Sequence, residues 1–190
     1  MSNADEVYRY TYKKIMHIEK IKGSGEGKRV LAEMRRGVGK HPGEMPTLWG
    51  MIFDGIDESL LGKDKPSYAE WGIYTSLTLY ALHSQGFEGC ANADGPSVGT
   101  ATADLVETDE DIERIQKHLN LVVTSETPEE LSYHLRGIVT LLRSNKISLD
   151  YARLAKELYL IWFSDESSKI KLQWGRDFYK KINRDRKGEN

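Results

Sequence analysis

The sequence predicts an all-α fold, a multi-helix bundle of about eight to nine helices. Apolar residues recur at helical spacing along most of the 190 residues, and capping patterns precede several of these segments. The β-branched runs are short and hairpin turn signals are missing. We expect one helical domain over residues 1–190, with a subdomain boundary near 86–100 that could divide the bundle into two sub-bundles.

Two helices are predicted in the N-terminal part of the chain, over residues 5–21 and 25–38, because their apolar residues keep a period near 3.6. The preceding segment 2–4, Ser-Asn-Ala, is typical of a cloning remnant, and we assign it no function. The second helix ends in Arg35 and Arg36. Cations at this end favour the helix dipole, and they could also contact a phosphodiester.

The glycine-rich segment 36–43 superficially resembles a phosphate-binding loop. No strand precedes it, and no Ser or Thr stands where the motif requires one. The segment therefore indicates a helix stop followed by a bent loop.

The middle of the chain predicts a short helix over about 46–56, with Trp49 in the core, and then a long buried helix. Ser67 and Glu70 form a capping box at the start of the long helix. Most of its later residues are apolar, which is typical of a central helix. Residues 85–100 are loop-like because they are rich in glycine.

Four further amphipathic helices are predicted after this loop. Their expected N-caps are, in order, Thr108, Thr127, Ser148 or Asp150, and Ser164 or Asp165. The last three helices carry basic rows on a face apart from the apolar one: Arg136, Thr140 and Arg143; Arg153 and Lys156; Arg176, Lys180 and Arg184.

Charge is unevenly distributed along the chain. Residues 1–40 hold 10 Lys/Arg and 5 Asp/Glu, residues 41–130 hold 4 and 17, and residues 131–190 hold 13 and 7. Two basic ends therefore flank an acidic middle, although the net charge is only −2. Such asymmetry indicates a charged partner, unless folding interleaves the segments and cancels the field.

No catalytic or metal-binding motif stands out. The five histidines have no ligand spacing, and the single cysteine, Cys90, has no basic neighbour that would activate it. We therefore expect a binding protein rather than an enzyme, with no cofactor or metal. Because no signal core or membrane span is evident, we expect it in the cytoplasm and away from membranes.

Three hypotheses for the function follow. In the first, the basic rows bind nucleic-acid phosphates without sequence preference, with affinity that falls as salt rises. They could instead form a helical scaffold whose basic faces bind an acidic protein partner. In a third hypothesis the acidic middle serves a metal-dependent hydrolase. Any single row could also be an ordinary solvated face.

Several motifs, in order along the chain, resemble the CasB family, the small subunit of the type I-E CRISPR surveillance complex Cascade. They are LAEMRRGVG at 31–39, GPSVGTA at 95–101, HLRGIV at 134–139, LLR at 141–143, ISLDY at 147–151 and WGRDFY at 174–179. One departure is RIQKH at 114–118, where the family pattern is richer in arginine.

The resemblance implies an all-helical, non-catalytic subunit of a CRISPR RNA-guided antiviral defence complex. Its partners would be the other Cascade subunits, the guide RNA, the target DNA with its displaced single strand, and a second copy of itself. It would contact guide and target backbones and stabilise the R-loop, consistent with effectors that leave sequence reading to base pairing.

The same motifs imply five nucleic-acid contacts, namely Arg35, Arg36, Arg136, Arg143 and Arg176. The basic rows alone add Lys146, Arg153 and Lys180 as candidate contacts.

Overall fold

The computed structural model describes residues 2–87 and 89–188 and confirms the all-α prediction. Nine α-helices form within these residues: α1 Asn3–Ile21, α2 Gly25–Arg36, α3 Pro46–Phe53, α4 Tyr68–His83, α5 Val98–Ala103, α6 Asp111–Thr124, α7 Pro128–Ser144, α8 Tyr151–Leu160 and α9 Ser164–Gly188. Single turns of 3-10 helix lie at Pro42–Glu44 and Glu58–Leu60. None of the helices in the described residues combines the length and apolar character that a membrane span needs.

Helix α4 is the central element, as its composition predicts. Nearly all of its residues are buried, and it packs against α1, α2, α7 and α8. Its polar side chains find partners within the core: the Ser76 hydroxyl donates to the Tyr151 carbonyl at 2.5 Å, and the Thr78 hydroxyl donates to the Tyr74 carbonyl at 2.9 Å. Helix α4 can therefore be buried on all sides without unpaired hydroxyls at these two positions.

The start of α4 forms the predicted capping box. The Ser67 hydroxyl accepts from the Glu70 backbone N–H at 3.0 Å, and the Glu70 carboxylate accepts from the Ser67 N–H at 2.7 Å. Reciprocal bonds of this kind satisfy two backbone donors that the first turn of a helix leaves open.

Two sequence predictions, one at a helix end and one in the core, are corrected, and one helix cap was not predicted. The unpredicted cap is Ser2, whose hydroxyl accepts from the Asp5 N–H at 3.3 Å at the start of α1. Thr108 does not cap α6; instead the Asp111 carboxylate accepts from the Thr108 N–H and hydroxyl. Trp49 is 46% exposed rather than in the core, since the side chains that α3 buries are Leu48 and Ile52, and the Trp49 indole N–H donates to the Pro42 carbonyl.

The segment predicted as a loop at 85–100 contains the short helix α5 at its end. A Cβ at Gly99 would lie 2.0 Å from the Trp174 carbonyl oxygen, so α5 and α9 approach closely only because residue 99 is glycine. The preceding segment is held against the start of α8: Leu149 N–H donates to the Ala91 carbonyl at 3.1 Å, and the Asp150 carboxylate accepts from the Gly95 N–H at 2.9 Å.

Candidate nucleic-acid interface

A groove between α2 and the segment after α4 collects basic side chains from both. We call it the basic groove; it is lined by Lys22, Lys28, Leu31, Arg35, Ser84, Gln85, Gly86, Phe87 and Gly89. Among the described residues, Lys28 and Arg35 form no ion pair, whereas Lys22 pairs with Glu19 at 2.7 Å. Two cations therefore line the groove without an ion-pair partner in the part of the chain that the structure describes.

Arg143 reaches the same place from α7. Its guanidinium donates to the Gln85 side-chain carbonyl at 3.3 Å, and Gln85 lines the basic groove beside Arg35. Fold topology brings these elements together, since α4 packs against both α2 and α7. Two arginines predicted separately from sequence are thus linked through Gln85: Arg35 lines the groove with it, and Arg143 bonds it.

Arg36 and Lys146 stand apart from that lining. Arg36 is 68% exposed and its guanidinium bonds the Glu33 carboxylate at 2.6 Å, one helical turn earlier. Exposed pairs of this kind are weak, so the guanidinium can exchange the carboxylate for a phosphate at little cost. Lys146 is exposed, with a φ of 57°, in the turn between α7 and α8.

Arg136 lines a second groove, about 650 Å³ in volume, between α6 and α7. We call it the aromatic groove; its lining residues are His118, Leu121, Tyr133, His134, Arg136, Gly137, Thr140 and Leu141. The Arg136 guanidinium has no ion pair within the described part of the chain. Arg136 and Arg143 lie seven residues apart on α7, so the two residues are about 10 Å apart along the helix axis.

The predicted contacts on α9 lie elsewhere. Lys180 lines a small notch with Thr100, Asp177, Lys181 and Arg184. Lys181 is engaged there, since its ammonium contacts the Asp104 carboxylate at 2.6 Å and the Asp185 carboxylate at 2.5 Å. Arg176 is exposed on the same helix and lines none of these depressions.

Arg153 joins α8 to α9 and to the segment before α5. Its guanidinium bonds the Glu157 carboxylate at 2.7 Å, lies 3.4 Å from the Asp177 carboxylate and donates to the Gly95 carbonyl at 2.9 Å. Burial is the main cause that raises the pKa of Glu157, and the Arg153 charge opposes that shift. A phosphate at Arg153 would have to compete with two carboxylates, so its geometry favours a structural role.

A buried polar cluster lies beneath the end of α4. The His83 Nδ1 is 2.8 Å from the Tyr151 hydroxyl, and the Tyr80 hydroxyl donates to the Glu19 carboxylate. Burial lowers the pKa of His83 to about 4, and the nearby Arg143 charge acts in the same direction. The imidazole is therefore neutral at physiological pH, as its structural role predicts.

Sequence reasoning missed several members of these grooves. Lys22 and Lys28 counted only toward the positive charge of residues 1–40, and Tyr133 was not predicted as a site residue. The signal that could have found Tyr133 is its position three residues before Arg136, which places both on one helix face. Groove partners from α6, such as His118, carry no such signal, since they depend on how α6 packs on α7.

A comparison with protein families now identifies the chain. The model of the family "CRISPR-associated protein Cse2" matches residues 30–179. The chain belongs to the CRISPR-associated protein Cse2 family. Membership confirms the resemblance to CasB drawn from the sequence motifs.

Solved structures from this family share the fold. The crystal structure of CasB from Thermobifida fusca is 30% identical, with a TM-score of 0.79 over 91% of this chain and 97% of that one. CasB from Thermus thermophilus is 17% identical, with a TM-score of 0.69 over 94% and 99%. A chain of a CRISPR RNA-guided surveillance complex is 16% identical, with a TM-score of 0.77 over 97% and 99%. No curated protein sequence matches the chain.

The region matched by the Cse2 family model contains most of both grooves. It begins within α2, includes Arg35, and runs through α7 to Tyr179 on α9. Lys22 and Lys28 precede it, and Lys180 lies one residue beyond it. The family match therefore does not cover these three lysines, and any role for them is argued from this chain's own structure.

Proposed function

We propose that the chain is a non-catalytic, nucleic-acid-binding subunit of a CRISPR RNA-guided surveillance complex. In this role it contacts the backbones of guide and target and stabilises the R-loop and its displaced strand. Membership of the Cse2 family supports the assignment to CRISPR defence, and the similarity to a chain of such a complex supports its place in an assembly. Its partners are then the other subunits, the guide RNA, the target DNA and a second copy of itself.

The observation that carries the proposal is that Arg143 bonds Gln85, a residue of the same groove that Arg35 lines. Arg35 and Lys28 line this groove from α2, and Arg143 reaches its Gln85 wall from a distant part of the chain. Guanidinium groups suit phosphate oxygens because they present paired donors in a plane. Gly86 and Gly89 in the groove wall leave room for a nucleic-acid backbone.

Backbone contacts are sufficient for this task. In RNA-guided effectors the sequence is read by base pairing, while the protein holds strands in positively charged channels. Among the described residues, no group of three or more His, Cys, Asp or Glu side chains could hold a metal ion. Arginines on exposed helix faces can hold an open duplex by its phosphates, so this task requires neither a recognition helix nor a reactive group.

The test is R-loop formation by a reconstituted complex that carries Arg35→Ala, Arg36→Ala and Arg136→Ala together. We expect fewer R-loops at the same complex concentration, with the difference from the wild type largest at low salt and smaller as salt rises. A matched control replaces the exposed cations Arg9, Lys63 and Lys169, which line neither groove.

Two outcomes contradict the proposal. If the triple variant forms R-loops as well as the wild type, the assigned arginines do not hold nucleic acid. If the variant chain fails to enter the complex, the same arginines bind a protein partner instead.

A further inference from the structure

The aromatic groove combines three features that an unpaired nucleobase would use. Tyr133 is 70% exposed, more than any other large hydrophobic side chain in the described residues. Arg136 follows one turn later with no ion pair in that part of the chain. Leu121, 47% exposed, forms part of the facing wall on α6.

The floor of the groove is open. A Cβ placed at Gly137 would meet nothing within 4 Å, so residue 137 adds no bulk between the two walls. The exposed Tyr133 ring beside Leu121 offers a flat aromatic face on which another flat ring can stack.

We propose that the aromatic groove binds an unpaired base of single-stranded nucleic acid, stacked on the Tyr133 ring, with a neighbouring phosphate held by Arg136. Base stacking on aromatic side chains beside a positive groove is how proteins bind single strands without sequence preference. This inference rests on the proposed function and deepens it, because it makes the groove specific for single strands. A paired base within a duplex cannot present its face to Tyr133.

The charge around the groove favours this occupant over an apolar peptide. Arg136, Thr140 and Arg143 form one row along α7, and Arg143 bonds Gln85 in the wall of the basic groove. A strand that enters the aromatic groove can therefore continue along α7 and place later phosphates at Arg143 and Arg35. A peptide helix would satisfy Tyr133 and Leu121 but would leave that row of cations without a counter-charge.

The experiment compares two labelled oligonucleotides with the same number of phosphates, one of thymidines and one of abasic residues, binding to the full chain at low salt. The wild type should bind the thymidine strand roughly tenfold more tightly, the effect of about one stacked base. Tyr133→Ala should abolish this difference, and Tyr133→Phe should keep it. Tyr179→Ala, at another exposed tyrosine on α9, is the matched control and should also keep it.

A second readout locates the base directly. A strand that carries 5-iodouracil should form a photo-crosslink that peptide mass spectrometry assigns to Tyr133. Equal wild-type affinity for both strands, or an unchanged preference in Tyr133→Ala, overturns the base site but leaves backbone binding intact. Absence of binding to either strand overturns the proposed function as well. Unchanged DNA affinity together with failed assembly of the Tyr133→Ala chain would show a protein interface instead.

Discussion

Two glycines show how differently single positions act in this fold. Gly99 lies where α5 touches α9, and an added Cβ would lie 2.0 Å from the Trp174 carbonyl oxygen. Gly137 lies on an exposed face of α7, where an added Cβ would meet nothing within 4 Å. Main-chain atoms cannot move aside as a flexible side chain does, so only the first position requires glycine.

We expect Gly99→Ala to lower the free energy of unfolding by about 1–3 kcal/mol, the usual cost of overpacking. Gly137→Ala should raise it by up to about 1 kcal/mol, because alanine favours a helix interior. Thermal unfolding of both variants measures the two effects. A Gly99→Ala protein as stable as the wild type would show that α5 does not need this close approach.

The sequence alone could not show that position 99 requires glycine and position 137 does not. It also could not show that Arg143 and Arg153 have different partners. Helical spacing correctly predicts which face of α7 or α8 a side chain occupies. It does not predict that α9 brings Asp177 to Arg153, or that Gln85 meets Arg143. Those contacts depend on packing between distant segments.

At the scale of elements, capped and strongly periodic helices were predictable from local sequence and short ones were not. The N-cap residues Ser67 and Thr127 and the apolar rows correctly placed α4 and α7, since these signals are local in the sequence. Helix α5 has only six residues and lies in a glycine-containing segment, which local rules assign to a loop. It forms because α9 packs against it.

The packing of α4 on α8 makes stability depend on pH through His83. Its imidazole is fully buried against Tyr151, and burial lowers its pKa to about 4 from 6.5. At pH values between these two, the unfolded chain therefore binds more protons at His83 than the folded chain does. The contribution of His83 to stability is highest above the upper value and falls as pH decreases through this window.

We expect the wild type to lose about 2 kcal/mol of stability through His83 between about pH 7.5 and about pH 5. In His83→Gln, which keeps a polar group beside Tyr151, that contribution should be absent. Denaturant unfolding of both proteins at both pH values gives the difference between their free energies of unfolding. Groups that titrate alike in the two proteins cancel in this difference. Parallel losses in both would show that His83 is not the titrating group.

At the scale of the whole molecule, folding cancels only part of the charge asymmetry of the sequence. The acidic middle does meet the basic C-terminal end on α9, where Lys181 contacts Asp104 at 2.6 Å and Arg186 contacts Asp109 at 2.7 Å. The basic groove is different, because Lys28 and Arg35 form no ion pair there among the described residues. A chain of net charge −2 can therefore still present a positive surface.

This uneven cancellation predicts where the salt dependence of binding resides. For single strands, the logarithm of the binding constant falls with the logarithm of salt concentration, with a slope of about −0.7 for each phosphate neutralised. Arg35→Ala with Arg143→Ala should therefore make the slope shallower by about 1.4. The matched pair Lys63→Ala with Lys169→Ala, which removes the same charge elsewhere, should leave it unchanged. Titration of a labelled single strand at several salt concentrations measures the slope for each double variant. Equal slopes for the two double variants would mean that net charge rather than the basic groove controls binding.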